Sequence, residues 1–65
     1  MKLRYFEDTD TVYIELREGD VSETRDLDEN TLIDVDAKGR LVAITIEHAK
    51  ERAELAHLVY ERVEP

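Results

Sequence analysis

A chain of 65 residues, with nine Lys+Arg against seventeen Asp+Glu (net −8 at pH 7), two His and no Cys, has room for one domain, residues 1–65. The composition excludes disulfide and thiolate–metal frameworks, and at this length the core rarely supplies more than about 3–5 kcal/mol, so oligomerisation is the staple that remains. The acidic field disfavours phosphate backbones and anionic membranes and favours a basic partner. With Glu7, Asp8 and Asp10 near the start and no run near ~18 apolar residues, a soluble cytoplasmic protein is expected.

Residues 2–6 (KLRYF) alternate, with Leu3 and Tyr5 on one face and Lys2, Arg4 and Phe6 on the other. Residues 7–11 (EDTDT) are a polar turn, and residues 12–17 (VYIELR) put Val12, Ile14 and Leu16 on one face. The two runs read as a hairpin. Glu18, Gly19 and Asp20 make the next turn. Residues 21–28 (VSETRDLD) carry charges on a weak period-two pattern and predict an edge strand. Residues 31–35 (TLIDV) predict a short strand. A Gly39 turn leads to residues 40–47 (RLVAITIE), apolar on both faces and therefore central.

From His48 the period changes. The segment HAKERAELAHLVYERVEP has no Gly or Pro before Pro65 and is rich in helix formers. On a helical wheel Ala49, Ala53, Ala56, Tyr60 and Val63 share about 80° of arc. Leu55, Leu58 and Val59 widen the apolar arc to roughly 220°, about twice what covering a sheet requires. The excess predicts a subunit contact. The expected fold is α+β: a four- or five-stranded antiparallel β-meander over residues 2–47, with a helix over 48–63 packed on the sheet, assembled as a homodimer through Leu55, Leu58 and Val59.

Tyr13, Ile14 and Leu16 in the first block, with Asp34, Asp36, Gly39, Val42, Ile44 and Ile46 in the second, resemble the pattern of the small prokaryotic domain-of-unknown-function (DUF) family 2283. The resemblance covers residues 5 to about 49 and omits the C-terminal helix. Ala43 stands where that family usually has Gly, and Thr45 where it usually has Glu. The resemblance implies a fold and a prokaryotic setting without an activity. Members encoded beside small toxin-like proteins point towards an antitoxin role.

Few residues carry reactive chemistry. Asp34, Asp36 and Gly39 have the spacing that opens a calcium loop, but Lys38 and Thr45 occupy positions where that loop needs carboxylates. The expectation is an Asp-stabilised structural turn, with no metal. His48 and His57 lie about 180° apart on a helix and cannot share an ion. Glu54 and Glu61 flank His57 as solvated partners. Ser22 is the lone serine, and neither Gly19 nor Gly39 opens a phosphate-binding helix. No catalytic residue, enzyme activity or cofactor is expected.

The favoured function is a small acidic protein-binding module, antitoxin-like in its most concrete form, that docks or neutralises a basic protein. The alternative is a DNA-binding regulatory domain, a small β-rich dimer using Arg4, Arg17, Arg25 and Arg40. The net charge and the absence of a run of three Lys or Arg argue against nucleic acid.

Overall fold

Alternating apolar and polar runs become five strands in the computed structural model, which describes residues 1–65. They are β1 (Lys2–Phe6), β2 (Thr11–Glu15), β3 (Glu23–Asp28), β4 (Thr31–Val35) and β5 (Leu41–Ile46), followed by one short helix, α1 (Ala49–Arg52). All pairings are antiparallel, in one open sheet of order β1-β2-β5-β4-β3.

That order corrects the expected meander. A hairpin, β1–β2, and a three-strand meander, β3–β4–β5, are joined by the β2–β5 pairing. Composition explains the arrangement. β5 is apolar on both faces and takes the centre, where Val42 and Ala43 are buried, whereas charged β3 is exposed at every residue and takes an edge. Residues 16–22 therefore cross the ends of two strands. The N–H groups of Leu16 and Arg17 both donate to the Val42 carbonyl (2.7 and 3.3 Å), and Ser22 N–H donates to the Val35 carbonyl (2.8 Å).

Register places Leu3, Ile14, Ile44 and Ile33 in one row across four strands, with Val12 and Ile46 beside it. These residues form the apolar face. The opposite face carries Lys2, Arg4, Tyr13, Glu15, Ala43, Thr45, Leu32 and Asp34. The molecule measures 36 × 34 × 18 Å, one sheet with a thin cover. Only six residues are buried, and no large side chain is fully enclosed.

The helix expected over 48–63 is reduced to Ala49–Arg52. Ala53 is extended (φ −152°, ψ 155°) and ends it, and residues 53–65 carry no regular secondary structure. Helices below about 12–15 residues depend on packing for stability. Here the broad apolar arc has no second layer to meet, since Leu58, Val59, Tyr60 and Val63 stay exposed. Helix propensity alone does not hold the segment.

Candidate interaction surfaces

The turn between β4 and β5 is organised by Asp36. Its Oδ1 accepts the N–H groups of Lys38 and Arg40, each at 2.9 Å, and its Oδ2 accepts Arg40 Nε at 2.8 Å. The Arg40 backbone N–H, with the Arg40 side chain and Lys38 N–H, holds the Asp36 carboxyl below its usual pKa. Gly39 sits at φ 79°, a conformation open to glycine at no steric cost, and donates to the Asp36 carbonyl at 3.0 Å. Asp34 lies on β4 outside this turn and accepts Thr24 Oγ1 at 2.6 Å across the strand pair. No group of three or more His, Asp or Glu converges as metal ligands.

The four arginines singled out in the sequence do not share one surface. Arg25 pairs with Glu23 at 2.6 Å on edge strand β3, and Arg40 pairs with Asp36 in the turn. Arg25 holds the Glu23 carboxyl below its usual pKa. Arg4 and Arg17 meet instead at the β1 edge. With Lys2, Met1, Glu15 and Glu18 they line a groove of about 270 Å³ on the opposite face. Neither arginine, nor Lys2, lies within ion-pair distance of a carboxylate. The far edge is acidic: β3 exposes Glu23, Asp26 and Asp28, with Asp20 and Glu29 next to its ends. Three unpaired cations thus gather on the β1 side, beside Glu15 and Glu18, whereas the β3 edge carries mainly carboxylates.

Two residues that the sequence reading passed over tie α1 to the sheet. Asp10, left-handed at φ 53°, accepts Ala49 N–H on its carbonyl (3.0 Å) and Lys50 N–H on its carboxylate (3.1 and 3.3 Å). It caps α1 from the β1–β2 turn, since His48 at the N-cap makes no side-chain cap. Tyr5 hydroxyl donates to the same carboxylate at 2.7 Å, and that bond is the leading cause pushing the Tyr5 phenol up to about 12. Arg52 secures the other side. It donates to the Asn30 carbonyl (2.9 Å), Thr31 Oγ1 (2.7 Å) and Asp28 Oδ2 (3.2 Å). The sequence signal for Asp10 was present, an Asp in a tight polar turn; its partner 40 residues away was not.

Leu58, Val59 and Tyr60 stand over the apolar face near β1, where with Met1, Leu3 and Ile14 they line a groove of about 640 Å³. Leu58 is 75% and Val59 82% exposed, while Leu55 is half-buried. His57 lies beyond α1, so the helical spacing that would set Glu54 and Glu61 beside it does not apply. No helix is long and apolar enough to cross a membrane.

These features define the class: a small α+β domain built on one open antiparallel sheet, with a thin core and two chemically distinct edges. The chain belongs to the family described as Protein of unknown function (DUF2283), whose sequence model matches residues 2–50. The match takes in every strand and ends inside α1, leaving residues 51–65 outside it. No curated protein and no solved structure matches the chain.

Proposed function

We propose that this chain is a small, non-enzymatic, cytoplasmic protein-binding module whose acidic β3 edge docks a basic protein, with antitoxin-like neutralisation as the most concrete form of that role. The observation that carries the reading is β3 itself, exposed along its whole length, carrying the unpaired carboxylate of Asp26 and flanked by those of Asp20 and Glu29. A field of this sign steers cationic surfaces and accelerates their encounter. DNA binding draws less support, because Arg25 and Arg40 are already paired and lie away from Arg4 and Arg17.

The module works as a homodimer in this reading. Four strands about 4.8 Å apart and five residues long at about 3.3 Å offer an apolar face of roughly 300 Å². A stable interface needs about 800 Å² per partner. Residues 53–65, with Leu55, Leu58 and Val59, bring the remaining area when a second copy covers the face.

Both parts are testable. A partner captured from the native host is purified and its association measured from 0.1 to 1 M salt, where the Debye length falls from ~10 to ~3 Å. The on-rate should fall with salt, and Asp26→Lys should slow it further. An on-rate insensitive to both, or recovery of DNA with a steep negative salt slope, overturns the reading. Light scattering should give a dimer for the wild-type chain and a monomer for Leu58→Glu; a wild-type monomer at micromolar concentration removes the dimer.

A further inference from the structure

The β1 edge has a different chemistry from β3, and its function is separable. β1 is the terminal strand of the sheet, so one side of its backbone has no ladder partner. Its pairing with β2 runs unbroken through five residue pairs, from Lys2↔Glu15 to Phe6↔Thr11. The other edge is interrupted, because β3 shifts register between Asp26 and Asp28. A bulge twists an edge and obstructs strand addition. Of the two edges, β1 is the one prepared to accept another strand.

What flanks β1 sets the character of that strand. Of the nine Lys and Arg, Arg25, Arg40, Arg52 and Arg62 are ion-paired. Three of the remaining five, Lys2, Arg4 and Arg17, line the groove on the opposite face of β1. The apolar groove lies on its other face, bounded by Leu3, Ile14, Leu58 and Val59. Successive side chains of an added strand point alternately to the two faces on which these grooves lie.

We propose that β1 binds an extended acidic segment of a partner protein by strand addition, with carboxylates facing Lys2, Arg4 and Arg17 and alternate apolar side chains entering the groove beneath Leu58 and Val59. The ladder hydrogen bonds supply affinity, and the alternation of acidic and apolar side chains supplies specificity. Nucleic acid fits less well, because Glu15 and Glu18 stand in the cationic groove and its companion is apolar. The site lies on the edge opposite the acidic surface and does not depend on that surface's role; its apolar groove shares Leu58 and Val59 with the proposed dimer contact, so the acidic segment and a second copy compete for it.

The test uses the full chain and a labelled synthetic peptide alternating glutamate with valine, followed by fluorescence anisotropy at low and moderate salt. Binding should weaken with salt and fall roughly tenfold in Arg4→Glu/Arg17→Glu. Amide exchange in β1 should slow on peptide addition, while exchange in β3 stays unchanged. A lysine–valine peptide should leave amide exchange in β1 unchanged. Both arginines are exposed, and retained NMR dispersion checks that the double variant folds; if it does not, Lys2→Glu replaces it with the same expected direction. The proposal is overturned if the variant binds as well as wild type, or if a single-stranded oligonucleotide binds and the acidic peptide does not. It is equally overturned if the chain fills its own edge, seen as open-ended growth in light scattering that charge reversal abolishes.

Discussion

Replacing Asp10 by Ala tests how the sheet holds α1. The substitution removes the carboxylate that accepts Lys50 N–H at 3.1 Å and Tyr5 hydroxyl at 2.7 Å, and leaves an alanine at φ 53°. Loss of a capping side chain costs about 1 kcal/mol, and a left-handed Ala costs about 1 kcal/mol more. The sum, about 2 kcal/mol, is a large part of what so thin a core supplies. For a domain of this size it lowers Tm by roughly 8–16 °C. Asp10→Asn is the matched control, since Asn tolerates the left-handed region and keeps an acceptor oxygen; its Tm should stay close to wild type. Tyr5 gives a second readout. Its phenol is raised from 10.0 to about 12, first by the hydrogen bond to Asp10. A folded-state value above the unfolded one means that this contribution is fully present below pH 10 and is lost as the pH rises through about 12. In a Tyr13→Phe/Tyr60→Phe background, Asp10→Ala should return the Tyr5 titration towards its ordinary value. If Asp10→Ala changes neither Tm nor that titration, the tie between the β1–β2 turn and α1 is refuted.

Two further substitutions separate the other anchors. Arg52→Ala releases α1 from the β3–β4 turn and leaves Thr31, only 9% exposed, without that donor; thermal melts should show a loss of about 1–2 kcal/mol, with amide protection falling first at Ala53. Asp36 has a depressed folded-state pKa, so its stabilising effect is present above the usual carboxylate range and is lost as pH falls through the lowered value. Asp36→Asn should therefore lower stability at neutral pH and flatten the acid limb of the denaturation curve; an acid limb identical to wild type would show that the turn does not depend on the charge.

The strands were legible in the sequence because period-two alternation is a local property. The hairpin β1–β2, the central position of β5 and the edge position of β3 follow from which residues alternate and which faces are apolar. So does the family, since its pattern lies in residues of β2, β4 and β5 and of the short segments beside them. The order of the sheet was not local. Whether β3 or β5 lies next to β2 depends on burying Val42 and Ala43 between two neighbours, and residues 16–22 are long enough to allow either. The helix shows the same division. Good helix formers over 48–63 describe what the segment does when packed, but a single sheet with one half-covered face holds only four residues of it. The anchors came from tertiary structure alone: Asp10 meets Lys50 40 residues away and Arg52 meets Thr31 at a separation of 21. Local sequence determined the elements and their charge, and three-dimensional packing decided which edge gathers unpaired cations, which carries mainly carboxylates, and what ties the helix down.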